Sequence, residues 1–338
     1  MARNPRRSRR SNCRRHDAGL RAEPGANVSI GQRLTLGLGS IVTDGYGATN
    51  PEGFGALLAC AAEAGITHLD TAAAYGAGKS ERLLGRWASD LDHDFSICTK
   101  IGLLPAEDGG FASSATPASL MRQAEASLDR LRVERVDTLL LHRPDPAVSP
   151  HRSVEGMIAC REAGLATRIG ISNFPSEVAV ELMEEGLVDT IQYPWSLLDH
   201  RCGPLLDKAA ECGVERMVFG ALAYGILAGQ VDENTAFEAG DWRGIARSGR
   251  DPGTNGAPFF LGDRFGEALR LARTFAKAAE VSMDSVAAAT VAASLQLAPA
   301  DQLIVGCRSA DELHGLLGYA SLRLPRSALS QGASMALM

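Results

Sequence analysis

Eight short apolar runs, each leading into an amphipathic helical stretch, predict a single α/β domain folded as a (β/α)8 TIM barrel. Two further observations support this. The 338 residues suit one large barrel. Polar residues of complementary chemistry stand at or just past the ends of three runs, and that end of a parallel barrel is where catalysis occurs. An open dinucleotide-binding sheet would carry G-x-G-x-x-G after its first strand. The nearest match, Gly37-Leu38-Gly39, has Val42 where the third glycine would stand.

In chain order the strand candidates are Leu34–Leu38, Thr67–Asp70, Phe95–Lys100, Thr138–His142, Arg168–Ser172, Thr190–Tyr193, Arg216–Phe219 and Leu303–Val305. Between them apolar residues recur at helical spacing, as in Leu120-Ala124-Leu128-Leu131 and Met183-Leu187. Thr116-Pro117 reads as a helix start, a capping hydroxyl before a proline. Gly65, Gly164 and Gly186 read as helix ends. Residues 229–262 form a polar insertion after the seventh strand, expected to be a lid or substrate wall. The chain divides into an arginine-rich tail over 1–26, the barrel over 27–325 and a C-terminal tail over 326–338.

Composition narrows the function. Hydrophobic residues at 45% and charged residues at 22% are ordinary for a soluble enzyme. A net charge of -6 gives no electrostatic reason to expect nucleic acid as partner. No apolar stretch is long enough to span a membrane. The seven cysteines are dispersed and include no C-x-x-C pair, which argues against a zinc site and a disulfide framework and for a reducing cytoplasm. Residues 3–15 carry seven arginines and almost nothing apolar, so this segment is expected to be disordered. It also lacks the apolar core of a secretory signal.

The chemistry concentrates in four residues. Asp70 and Tyr75 stand at and beyond the end of the second run, Lys100 ends the third, and His142 ends the fourth. An acid, a phenol, an amine and an imidazole gathered at one barrel face suit proton transfer to a carbonyl oxygen.

The motifs containing these residues resemble the aldo-keto reductase family. They are Leu36-Gly37-Leu38-Gly39-Ser40, Leu69-Asp70-Thr71-Ala72-Ala73-Ala74-Tyr75-Gly76, Ser80-Glu81-Arg82-Leu83-Leu84-Gly85 and Thr99-Lys100-Ile101-Gly102. Leu141-His142-Arg143-Pro144-Asp145, Ile169-Gly170-Ile171-Ser172-Asn173-Phe174, Gln192-Tyr193-Pro194 and Gly306-Cys307-Arg308-Ser309 continue the match, which covers roughly residues 34–320. The resemblance implies a metal-free enzyme that uses NADPH in preference to NADH to reduce a small aldehyde or ketone, sugar-derived compounds among them. Its catalytic set maps onto Asp70, Tyr75, Lys100 and His142. Tyr75 is the implied proton donor. Lys100 is expected to pull the phenol toward neutrality, since an ammonium at about 4 Å is worth about 4 kcal/mol at an effective dielectric of 20. Asp70 is expected to hold Lys100, and His142 to hydrogen-bond the substrate oxygen.

The same resemblance implies a cofactor set. Ser172, Asn173 and Gln192 match the positions that bind the nicotinamide carboxamide, and Phe219 the aromatic that stacks on the ring. Gly220 and Leu222 begin a loop toward the pyrophosphate, Gly220 without the usual hydroxyl. Gly306, Arg308 and Ser309 match the grip on the adenosine 2′-phosphate, where an arginine fork suits phosphate. Glu312, Gly315 and Leu316 depart from the family pattern and imply a thinner adenine site. Two rivals are a cofactor-binding redox regulator with weak turnover and a Schiff-base lyase built on Lys100. Gly78-Lys79-Ser80 mimics a phosphate loop, but Ala73 stands where its first glycine is needed.

Overall fold

The computed structural model describes residues 30–42, 45, 51–91, 93–106, 110–320 and 322–338. The arginine-rich segment 1–26 lies outside them, as does most of 43–50.

Ten strands form. They are β1 (Leu34–Gly37), β2 (His68–Asp70), β3 (Ser96–Ile101), β4 (Leu103–Pro105), β5 (Phe111–Ser113), β6 (Val136–Leu141), β7 (Ala166–Ser172), β8 (Thr190–Pro194), β9 (Glu215–Phe219) and β10 (Gln302–Gly306). Eight of them close into a parallel barrel in the order β1-β10-β9-β8-β7-β6-β3-β2. These are the eight expected runs, and the expected (β/α)8 TIM barrel is the fold. β4 and β5 pair antiparallel as a small hairpin just beyond β3.

Strand limits shift where local bonding adds residues. β6 begins at Val136, which is buried, and Asp137 accepts a hydrogen bond from the Ile97 N–H of β3 at 2.8 Å. His142 falls one residue past the strand and hydrogen-bonds back through its N–H to Ile101. Helix Pro117–Leu131 starts as its sequence indicates: Thr116 Oγ1 accepts from the Ser119 N–H, and proline occupies the first turn. Gly65, Gly164 and Gly186 all adopt left-handed φ of 71–80° at helix ends.

Two segments are more structured than their sequences suggest. Residues 229–262, polar overall, contain helices Trp242–Arg247 and Ala257–Phe260. Trp242 packs edge-on against Tyr224 and Phe260, and Phe260 stacks on Phe265. A few large aromatics thus anchor a segment whose average composition is polar. The stretch set apart as a C-terminal tail forms helix Arg326–Ser334, with Ala328 and Met335 buried and the Leu337 N–H bonded to the Leu198 carbonyl. Its apolar spacing is short and surrounded by polar residues, so only the tertiary contact reveals it. Among the described residues no helix is long and apolar enough to cross a membrane.

The core has two parts. Most buried side chains lie between the barrel and its helices. A separate cluster of Cys98, Leu140, Met217 and Ile304 fills the barrel interior, and Phe219 packs against it.

Candidate active site

That interior cluster explains where the polar residues fall. Side chains two positions apart on a strand face the same way. Two residues beyond Cys98, Leu140, Met217 and Ile304 come Lys100, His142, Phe219 and Gly306. The next layer toward the C-terminal end of the barrel is therefore built from predicted site residues, resting on an apolar floor. Asp70 from β2 and Gln192 from β8 complete it, with Gln192 Nε2 donating to Asp70 Oδ2 at 2.7 Å.

Lys100 is the hub. It is 1% exposed, and its Nζ donates to Asp70 Oδ1 at 2.6 Å, to the Thr71 carbonyl at 2.9 Å and to Tyr75 Oη at 3.3 Å. These three acceptors match the three N–H bonds of an ammonium. Tyr75 reaches the mouth because the chain leaves β2 in tight turns, with the Tyr75 N–H on the Ala72 carbonyl, and Gly76, Ala77 and Gly78 all left-handed. Gly39 lies beneath the phenol ring, where a Cβ would sit 3.2 Å from Tyr75 Cε2. The Tyr75 and His142 rings meet edge-on, centroids 5.9 Å apart. So the four predicted catalytic residues converge.

Electrostatics corrects one expectation. Burial raises the Tyr75 phenol above its ordinary value, and the opposing pull of Lys100 does not overcome it. For Lys100, burial disfavours the charge, but Asp70, nearby Tyr75 and the hydrogen bond to Asp70 outweigh it, and its pKa rises. Lys100 is therefore a fixed cation. Burial, with help from the cations Lys100 and Arg143, lowers His142 to about 3. Its imidazole is neutral at ordinary pH, and its buried Nδ1 has no hydrogen-bond partner among the described residues. Cys98, in contact with Asp70, is pushed well up by burial and stays a thiol.

The predicted cofactor residues lie around this layer. Ser172 Oγ donates to the Gln192 carbonyl at 2.9 Å. Asn173 has a left-handed φ of 60°, which asparagine tolerates, and its Nδ2 donates to the His142 carbonyl and to Ser172 Oγ. These bonds join Ser172, Asn173 and Gln192 to Asp70 and His142, two of the four predicted catalytic residues. Gly220 opens a compact turn with a φ of 81° that favours glycine, its carbonyl accepting from the Ala223 N–H. Leu222 continues it, accepting from the N–H groups of Gly225 and Leu227. Gly306 pairs with Gly37, so β10 brings Arg308 and Ser309 out beside β1. Glu312 binds both: its Oε2 accepts from the Arg308 N–H at 2.7 Å, and its N–H donates to Ser309 Oγ at 3.2 Å.

Two of the departures from the family pattern have clear places in the structure. Leu316 is buried in the main core, so it has no free surface for an adenine. Glu312, four residues past Arg308, places a carboxylate next to the proposed phosphate grip, although 306–309 contain no acid. Sequence reasoning also missed Asn255. Its Nδ2 donates to Asn173 Oδ1 at 2.8 Å, tying segment 229–262 to the site. A pair 82 residues apart leaves no periodic signal. Cys98 was legible, being two residues before Lys100 on one strand.

Comparison with known proteins agrees with this geometry. The sequence pattern of the Aldo/keto reductase family matches residues 33–335. The aldo-keto reductase YhdN of Bacillus subtilis (strain 168) is 29% identical over 287 residues, spanning 84% of this chain and 83% of its own. The D-galacturonate reductase of Fragaria ananassa is 30% identical over 170 residues, 44% of this chain and 49% of its own. Among solved structures, the glycerol dehydrogenase AKR11B4 from Gluconobacter oxydans superposes with a TM-score of 0.76 at 25% identity, over 90% of each chain. The aldo-keto reductase AKR11C1 from Bacillus halodurans gives 0.69 at 20% identity, over 90% of this chain and 92% of its own.

Proposed function

The chain belongs to the aldo/keto reductase family of oxidoreductases, and from that premise we propose that it reduces a small aldehyde or ketone to the alcohol with NADPH, Tyr75 giving the proton. The observation that carries this reading is the placement of Lys100 Nζ between Asp70 Oδ1 at 2.6 Å and Tyr75 Oη at 3.3 Å.

The residues present fit a nicotinamide dinucleotide. Backbone forms the walls at Gly220 and Gly306, where an added Cβ would meet Tyr224 Oη at 3.2 Å and Ser40 Oγ at 3.1 Å. Phe219 offers a partly exposed aromatic at the mouth. Ser172, Asn173 and Gln192 supply amide and hydroxyl groups for a carboxamide, and Arg308 a guanidinium for a 2′-phosphate. When bound, the cofactor supplies a hydride to the carbonyl carbon.

The protein's own groups handle the oxygen. His142, neutral, has one N–H to donate to the carbonyl and hold its approach. Tyr75 passes its Oη proton to the oxygen as negative charge develops there. The phenol's raised pKa keeps that proton in place at rest. Lys100 then stabilises the phenolate across 3.3 Å until it is reprotonated. Asp70 holds the ammonium, and Gln192 holds Asp70.

A Schiff-base role needs Lys100 as a neutral amine, and its three bonded acceptors and raised pKa oppose that. The name of the Gluconobacter neighbour favours polyol-related and sugar-like carbonyls. The described cysteines are all free, which supports a cytoplasmic setting. The test is NADPH consumption, read by absorbance, across neutral and sugar-derived aldehydes and ketones. Tight cofactor binding with no turnover on any of them would instead favour the regulatory reading.

A further inference from the structure

We propose that the cleft between helix Lys79–Trp87 and the end of helix Pro117–Leu131 is a binding site for a small phosphate-bearing anion. The cleft has a volume of about 520 Å³ and is lined by Lys79, Arg82, Arg86, Arg130 and Arg132, with Asp129 its one lining carboxylate. That volume is in the range of small-molecule sites, about 300–1,000 Å³. This concentration of cations sits on a chain whose net charge is -6.

Among the described residues, one of the five cations is held in an ion pair. Arg130 donates to the buried Glu81 at 2.6 Å and to Ser127 Oγ at 2.9 Å, which fixes its guanidinium. Among the described residues Lys79, Arg82, Arg86 and Arg132 take part in no ion pair. Like charges held this close are unfavourable without a counterion, and guanidinium forks suit phosphate oxygens.

The backbone is shaped for their convergence. Gly78 has a φ of 81°, and a Cβ on it would lie 2.8 Å from Arg130 Cδ and 3.0 Å from Arg82 Nη1. Both arginine side chains thus lie close over Gly78. Arg82 is further oriented by donating to the Ala77 carbonyl at 3.0 Å. Arg132 takes a left-handed φ of 58° as the helix ends, an uncommon conformation for a long side chain. Gly78-Lys79-Ser80, which is no phosphate loop by spacing, acquires a phosphate-related role from its neighbours in space.

The experiment is isothermal titration of inorganic pyrophosphate at about 0.15 M salt, where long-range attraction is screened. Wild type and Arg308→Ala should bind one pyrophosphate at this cleft alike. Arg86→Glu with Arg132→Glu, both exposed positions, should weaken that binding at least about tenfold with an unchanged melting temperature. If the double variant does not fold, Arg86→Gln and Arg132→Gln singly should each weaken it. Binding lost in Arg308→Ala but kept in the cleft variants would overturn the proposal. So would binding to vesicles containing phosphatidic acid with none to free pyrophosphate, and so would no saturable binding at all.

Discussion

Tyr75 Oη lies 3.3 Å from Lys100 Nζ, yet the phenol is harder to ionise than a free tyrosine. Burial outweighs the neighbouring cation. At rest the phenol therefore keeps its proton.

Tyr75→Phe should lower kcat for carbonyl reduction by about 10²–10⁴-fold while leaving NADPH affinity nearly unchanged. The hydroxyl bonds only to Lys100 among the described residues, so little else is lost. Steady-state kinetics with a cofactor titration reads both. More than about a tenth of wild-type kcat would remove Tyr75 from the donor role.

Lys100→Met should abolish reduction and destabilise the fold. Asp70 is 3% exposed and would lose its partner cation, keeping Gln192 and the Cys98 thiol beside it. Removing one member of a buried pair costs about 3–5 kcal/mol. Adding Asp70→Asn should recover much of that stability and no activity. Denaturant melts of the single and double variants test this; equal stabilities would mean the ion pair does not govern this region.

His142 sets an acid-side dependence. Its folded pKa of about 3 lies below its ordinary value of 6.5, so the unfolded chain takes up a proton first as pH falls. The neutral folded form is therefore fully favoured above about pH 6.5, and this contribution is lost progressively from there toward pH 3. His68 and His200 are lowered too and act in the same direction. In melts from pH 7.5 to 4.5, wild type should lose more stability than His142→Gln. The kcat profile should show no imidazole limb between pH 5 and 8. A limb that vanishes in His142→Gln would show that the ring titrates in the folded enzyme.

Arg308→Ala should weaken NADPH by about 10- to 150-fold and leave NADH almost unaffected. Glu312 sits on the Arg308 N–H at 2.7 Å, so an NADPH preference would rest on the Arg308 guanidinium. Titrations of both cofactors decide it. Equal weakening would place Arg308 in support of the loop or the pyrophosphate instead.

The barrel was legible in the sequence because it follows from short-range periodicity. Apolar runs of strand length sufficed to put Asp70, Lys100 and His142 at the ends of three strands, with Tyr75 just beyond the first of them. Family motifs then pointed to Phe219 and the other cofactor positions. Tertiary structure alone decided the sign of the Tyr75 shift, because burial and a nearby cation oppose each other and only the degree of enclosure selects between them. It alone placed Asn255 on Asn173, Leu316 in the core and the C-terminal helix on the barrel, and it alone brought Arg130 and Arg132 beside Lys79, Arg82 and Arg86 in one cleft. Those relations join residues far apart in the chain, and their energies depend on distance through space, which no local pattern of residues records.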